Sequence, residues 1–146
     1  MQGKINQIIK QIKNDIEKRF NITVIGADIF DDFEETIPSG TIVIDMSGIN
    51  ESDSDQHDES DVFTFTFDFY YFLKYDKIEE LREKTVDIAR FLNKNFFGRM
   101  LLNPMKVLSA EPEYTIEVKT TANSVWKIVA EADILFNKED INDNNE

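Results

Sequence analysis

Residues 62–73 read Val62-Phe63-Thr64-Phe65-Thr66-Phe67-Asp68-Phe69-Tyr70-Tyr71-Phe72-Leu73. The other elements of the chain must bury the aromatic side chains of this run. Four phenylalanines alternate with polar residues, and a period of two places their rings on one face of a β-strand. A helix would distribute the same rings around its axis. Because an aromatic face of this size must be buried, the run predicts a sheet packed against other elements.

Two amphipathic segments predict the helices that cover this face. Isoleucines recur at helical spacing from Lys4 to Phe20, and Asn21, which tolerates a left-handed conformation, is expected to end the helix. The second helix is expected to begin at Ile78, where Asp76-Lys77-Ile78-Glu79 resembles a capping box, and to carry its apolar stripe as far as Phe96. The predicted core from helices and strands comprises Ile5, Ile8, Ile12, Ile16, Phe63, Phe65, Phe67, Phe69, Ile78, Leu81, Ile88, Leu92, Trp126 and Ile128. The isoleucine stripe is also compatible with a partner-binding face.

The remaining regular segments have the composition of β-strands. They are Thr41–Asp45 after the turn Pro38-Ser39-Gly40, Met105–Ala110 before a turn-like Glu111-Pro112-Glu113, Tyr114–Lys119, and a final strand after a turn at 121–124, with Ile22–Ile25 as a further short candidate. The sequence therefore predicts one α+β domain over residues 1–137, with a mostly antiparallel or mixed sheet and two helices on one face, in the order α-β-β-α-β-β-β. Residues 138–146 are expected to form a frayed acidic tail.

Residues 48–61 are the most acidic stretch and are predicted to form a mobile loop at the tip of a hairpin. Its candidate contact residues, toward a partner or the lumen of a ring, are Glu51, Asp53, Asp55, Asp58, Glu59 and Asp61. The aspartate spacing resembles a calcium loop, but the central glycine and the bidentate glutamate of that motif are missing. His57 is the only histidine and the chain has no cysteine, so no zinc site and no cofactor are expected.

The composition makes several function classes improbable. Sixteen Lys and Arg against 29 Asp and Glu leave a formal charge of −13 in 146 residues. A field of that sign disfavours contact with phosphate backbones and anionic membranes, so neither sequence-specific nucleic-acid binding nor membrane binding is expected. The absence of cysteine excludes disulfides and thiolate chemistry, and no phosphate-binding glycine motif is present. No uninterrupted apolar run approaches the roughly 18 residues of a membrane span, so a soluble protein is expected. No local pair of acids is marked as general acid and base, so no enzymatic activity is expected.

The order of these patterns resembles the tail terminator (tail completion, minor tail) proteins of long-tailed bacteriophages and prophages. The features that carry the resemblance are the first helix ending in Ile16-Glu17-Lys18-Arg19-Phe20, the turn Ile37-Pro38-Ser39-Gly40 before Thr41-Ile42-Val43-Ile44, the long inter-strand loop, the helix Ile78–Phe97 and the closing strand with Trp126. The resemblance implies a small subunit that forms a hexameric ring, caps the tail tube, ends its polymerisation and meets the head–tail connector. It also implies assembly in the bacterial cytoplasm and a final place in the virion tail.

Two other functions remain open from the residues alone. A small acidic protein can mimic DNA and inhibit a nucleic-acid enzyme, which requires acids spaced along an elongated surface. The aromatic face of residues 62–73 can instead line a small-ligand pocket between helices and sheet.

Overall fold

The computed structural model describes residues 2–26, 38–51, 60–74, 77–112 and 123–137. Within these ranges the elements are α1 (Gln2–Phe20), β1 (Thr23–Gly26), β2 (Thr41–Glu51), β3 (Ser60–Lys74), α2 (Ile78–Leu92), β4 (Lys106–Pro112) and β5 (Asn123–Asn137). The predicted α+β architecture is confirmed. The short first strand is present as β1, so three strands precede α2 where the prediction counted two.

The strands form one mixed sheet in the order β1-β2-β3-β5-β4. β1 runs parallel to β2, whereas the other neighbouring pairs are antiparallel. β3 is the central strand, and it pairs with β5 over its whole length, from Ser60 opposite Asn137 to Lys74 opposite Asn123. The aromatic run therefore lies where it has a neighbouring strand on both sides.

The core lies between the helices and one face of this sheet. Phe65, Phe67 and Phe69 are buried in a row, with centroid distances of 6.4 Å between successive rings. The helices contribute buried residues at Ile8, Ile12, Ile16, Leu81, Ile88 and Leu92, and β5 contributes Ile128. Ile5, Phe63 and Trp126 are half-buried and pack against this core. The side chain of Ile78 is outside the described ones.

Helix α1 ends where the sequence predicts. Asn21 has φ 56°, the left-handed conformation that asparagine tolerates better than most residues. Its backbone N–H donates to the Glu17 carbonyl over 2.9 Å, which completes the last turn. The chain can then enter β1 directly, only three residues after the helix ends.

Helix α2 ends earlier than predicted. It ends at Leu92, and Phe96 is 44% exposed while Phe97 is fully buried, so the assignment of Phe96 to the buried stripe is wrong. The cause is a tight reversal: the Phe97 N–H donates to Asn95 Oδ1 over 2.8 Å, and Phe97 itself has φ 48°. This reversal directs the Phe97 ring onto the core beside Phe91, at 6.2 Å between centroids. At the other end, Lys77 is the N-cap residue and forms no side-chain cap, while the predicted cap residue Asp76 lies outside the described ranges.

The predicted loop over residues 48–61 is too long. Gly48–Glu51 belong to β2 and Ser60–Asp61 to β3, because the backbone ladder continues to Glu51 opposite Phe63 after an irregularity between Met46 and Gly48. Cross-strand pairing satisfies the backbone here whatever the local charge. Two predicted turns are also partly strand: Glu111 and Pro112 belong to β4, and Asn123 and Ser124 to β5. The predicted strand at 114–119, residues 52–59 and the tail at 138–146 lie outside the described residues.

Candidate interaction surfaces

The sheet face opposite the helices is divided into an apolar and an acidic part. At one end Val43 and Phe72 are fully buried, with Ile25, Tyr70 and Val125 packed against them. Toward the other end the face presents half-buried polar side chains, namely Asp45, Thr64, Thr66, Asp68, Glu131 and Asp133. The last strand, β5, alternates between the two faces of the sheet, since positions 128, 130, 132, 134 and 136 are buried while the odd positions between them are partly exposed.

Two like charges lie opposite each other within the acidic part. Asp45 on β2 is the direct partner of Asp68 on β3, and the Tyr70 hydroxyl donates to Asp68 Oδ2 over 3.5 Å. Like charges at directly opposed positions of an antiparallel pair destabilise the pairing. The two carboxylates place negative charge at the centre of this face, and Lys127, opposite Tyr70 on β5, places a positive charge beside them.

Asp133 instead has a structural role on the same face. Its Oδ1 accepts a hydrogen bond from the Thr64 hydroxyl at 2.5 Å, and its Oδ2 accepts from Asn103 Nδ2 at 2.8 Å. The Leu102 N–H donates to the Asp133 carbonyl over 2.9 Å. Through both its side chain and its backbone, Asp133 joins the segment after α2 to the sheet.

The first edge of the sheet, at β1, is closed by a side chain. The Val24 N–H donates to Glu17 Oε2 over 3.1 Å, so a carboxylate from α1 occupies a position that another strand would use. Strand edges with unpaired backbone groups favour association with other chains, and a charged side chain across the edge opposes it. Glu17 therefore blocks the β1 edge at Val24.

The second edge, at β4, is closed over part of its length. Met105 exchanges backbone hydrogen bonds with Lys94 and Asn95, and the Val107 N–H donates to Asn93 Oδ1 over 3.1 Å. From Leu108 to Pro112, no described residue outside β5 pairs with the strand. Leu108 lies at the irregularity between Val107 and Ser109 and is 49% exposed. Residues 108–112 of β4 are referred to below as the open edge.

The candidate contact residues chosen from sequence are only partly placed by the structure. Glu51 and Asp61 are exposed at the ends of β2 and β3 that face each other across the acidic segment. Asp53, Asp55, Asp58 and Glu59 lie outside the described residues. Sequence reasoning missed Glu17, Asn93 and Asn95, which close the edges, because the distance in sequence between each of them and its strand gives no local signal.

Tyr71 is a buried ionisable group beside α2. Burial, and secondarily the negative charge of Glu80, raises its pKa from 10.0 to about 12. Tyr71 therefore stays neutral across the physiological range and serves as a core residue of the helix-covered face.

No group of three or more His, Cys, Asp or Glu side chains in the described ranges is placed to hold a metal ion. Neither helix in the part of the chain that the structure describes is both long enough and apolar enough to cross a membrane. No protein-family model matches the chain, and no curated protein matches it at a significant level.

Proposed function

We propose that this chain is a non-catalytic assembly subunit that associates with copies of itself, in the manner of the tail terminator proteins that it resembles. In that role it forms a hexameric ring on the finished tail tube, ends tube polymerisation and meets the head–tail connector. Its partners are then its own copies, the tail tube protein and the connector. Its location is the bacterial cytoplasm during assembly and the virion tail afterwards.

The observation that supports the proposal is that the two edges of the sheet differ in how far other residues close them. The β1 edge is closed by Glu17 and the first part of the β4 edge by Asn93–Asn95, but the open edge has no described partner other than β5. Natural sheets that remain monomeric protect their edges, and an edge left unprotected favours pairing with another chain. The exposed Leu108 adds apolar surface to this edge.

The charge of the chain supports the same role. The net charge of −13 suits a ring around a DNA passage, because an acidic lumen lets a polyanion such as DNA pass without binding. The half-buried acids of the sheet face, among them Asp45 and Asp68, supply part of that charge on a surface that the helices leave uncovered.

The experiment is a measurement of assembly state with an edge variant and a matched control. Native mass spectrometry and sedimentation velocity over a wide concentration range are expected to show a species of six chain masses. Leu108→Lys places a charge at the open edge and is expected to shift this species to monomer. Leu102→Lys makes the same change at another exposed leucine outside β4, and it should leave the assembly unchanged.

Two results would contradict the proposal. One is a chain that stays monomeric at every concentration, both alone and with polymerising tail tube protein. The other is an assembly whose six-chain species is populated to the same extent in Leu108→Lys and in Leu102→Lys.

A further inference from the structure

The charge of the chain is divided between its helices and the rest of its residues. Helix α1, helix α2 and the connection from α2 to β4 form one layer, because Phe97, Leu101 and Met105 of the connection share the core with both helices. This helical layer, residues 2–20 and 77–105, carries eleven Lys and Arg against six Asp and Glu, a charge of +5. All other residues, referred to below as the acidic remainder, carry five Lys and Arg against 23 Asp and Glu, a charge of −18. A chain with a net charge of −13 therefore has a basic helical layer.

Helix formation alone does not explain the excess of cations in this layer. Lys, Arg and Glu have similar helix propensities, so the helices of a chain with 29 acids can carry acids equally well. The longest stretch of sequence without an acid runs from residue 88 to residue 110, and α2 ends at Leu92, near its beginning. The cations of that stretch are Arg90, Lys94, Arg99 and Lys106. The excess of cations therefore extends beyond the helices.

Five exposed cations lie on the last turns of the two helices and on the connection after α2. They are Lys18, Arg19, Arg90, Lys94 and Arg99, referred to below as the basic surface. Folding brings Arg19 and Arg90 into one groove, which is also lined by Phe20, Asp87 and Phe91. The Phe91 ring lies 5.4 Å from the Phe20 ring and 6.2 Å from the Phe97 ring, measured between centroids. These ring contacts hold together the chain segments that carry the five cations.

The described part of the chain offers the basic surface no ion-pair partner. Ion pairs in this part join Lys77 and Lys84 to Glu80, and none includes a cation of the basic surface. Within the same ranges the Asp87 carboxylate lines the groove but forms an ion pair with neither arginine. Arginine binds a carboxylate through two parallel hydrogen bonds when one is within reach. The basic surface is therefore suited to the carboxylates of another molecule.

Opposite charges on one chain restrict how two copies can meet. At physiological ionic strength, charges more than about 8 Å apart are largely screened, so the surfaces in contact matter more than the net charge. A contact of either surface with its own counterpart places like charges against each other and is unfavourable. A contact between the basic surface of one copy and the acidic remainder of another joins unlike charges. The described part of that remainder includes Asp45 and Asp68 on the sheet face that the helices leave uncovered.

We propose that the basic surface binds the acidic remainder of a second copy of this chain. This inference rests on the proposed self-assembly and assigns one of its contacts. Because the basic surface and the acidic remainder consist of different residues, the contact is heterologous, and contacts of this kind generate a ring when the rotation between subunits closes. The open edge begins at Leu108, inside the same stretch without acids, so the edge contact and the charge contact are neighbours in the chain.

The first test separates the position of charge from its amount. Arg19→Gln/Arg90→Gln removes two positive charges from the basic surface, whereas Ser47→Asp/Asn50→Asp makes the same change in net charge at exposed positions of β2 in the acidic remainder. By sedimentation velocity at about 0.15 M salt, we expect the first variant to associate about tenfold or more weakly than the wild type. The second variant should associate at least as strongly as the wild type. Urea unfolding of both variants checks that each remains folded.

The second test identifies the two surfaces in contact by zero-length carbodiimide cross-linking, which joins a lysine amine directly to a carboxylate. An equal mixture of unlabelled chain and chain labelled with heavy nitrogen is cross-linked, and mass spectrometry selects links that join one isotope form to the other. We expect such links from Lys18 or Lys94 to carboxylates of the acidic remainder. Links between copies that omit both lysines, or that join them only to acids of the helical layer, would overturn the inference.

The outcomes distinguish this contact from the proposed function. If the wild type assembles, both variants assemble equally and the links omit Lys18 and Lys94, the charge contact is refuted and the proposed function stands. A chain that stays monomeric at every concentration refutes both. If that monomer instead binds vesicles containing phosphatidylserine, or duplex DNA, and Arg19→Gln/Arg90→Gln abolishes the binding, an anionic membrane or a nucleic acid replaces the second copy as the partner of the basic surface.

Discussion

The packing of the aromatic strand leads to a quantitative prediction at Phe67. Its side chain is fully buried, and its ring lies 6.4 Å from Phe65 on one side and 6.4 Å from Phe69 on the other. Phe67→Ala removes the transfer free energy of a buried phenylalanine and leaves a cavity between two rings. The cost expected for such a truncation is about 3–5 kcal/mol. A domain of this size has a free energy of unfolding of about 5–15 kcal/mol, so the variant should be strongly destabilised.

Phe96→Ala is the matched control, because it deletes the same side chain at a position that is 44% exposed. Its expected cost is about 1 kcal/mol or less. The assay is urea unfolding followed by circular dichroism, with the free energy in water obtained by linear extrapolation. The dependence on urea should be the same for all three proteins if only the native packing changes.

A difference of less than about 1 kcal/mol between the two variants would refute the assignment of Phe67 to the core. If Phe67→Ala does not fold, Phe67→Leu replaces it, with an expected cost of about 1–2 kcal/mol, still above that of Phe96→Leu.

Four further predictions concern single side chains. Burial raises the pKa of Tyr71 to about 12 in the folded state, so its contribution to the free energy of unfolding is complete below pH 10 and is lost as the pH rises toward 12. Over that interval the wild type should lose about 2–3 kcal/mol more unfolding free energy than Tyr71→Phe, measured by urea unfolding. Asn21→Gly should be neutral or stabilising by thermal unfolding and Asn21→Val should lower stability by about 1–2 kcal/mol, since φ is 56° there; equal effects would refute the left-handed helix end. Glu17→Ala should lower the unfolding free energy by about 1 kcal/mol and increase self-association through β1, whereas Glu17→Gln keeps an acceptor for Val24 and should be milder. Asp68→Asn should raise stability by about 0.2–1 kcal/mol at low salt, with a smaller gain at high salt, and a loss would contradict repulsion from Asp45.

Periodicity was sufficient to place the central elements of the fold. The two-residue alternation from Phe63 to Phe69 predicted a strand with one aromatic face, and the isoleucine spacing of α1 predicted a helix with one apolar stripe. Both signals are local, because side chains two, three or four positions apart share a face whatever the chain does later. The end of α1 at Asn21 could also be predicted, since tolerance of the left-handed conformation is intrinsic to asparagine.

Local signals were misleading at the element ends. Charge density predicted a loop from residue 48, but the strand continues to Glu51 because its backbone groups pair with β3. The helical spacing continued through Phe96, but the backbone reversal at Asn95–Phe97 exposes Phe96 and buries its neighbour. In both places a hydrogen bond of the backbone, which the spacing of charged or apolar residues does not show, determined where the element ends.

The candidate surfaces depend on tertiary structure to a greater degree. Composition alone establishes the net charge of −13 and the acidic segment, because both are properties of the residues present. The closed and open edges depend on residues that are close in space but separated in sequence, such as Asn93 and Val107. Arg19 and Arg90, which are distant in the chain, likewise line one surface groove only because folding brings the ends of α1 and α2 together. Residue type fixes how much charge and apolar surface a chain carries, whereas only the packing of its elements decides where that surface meets a partner.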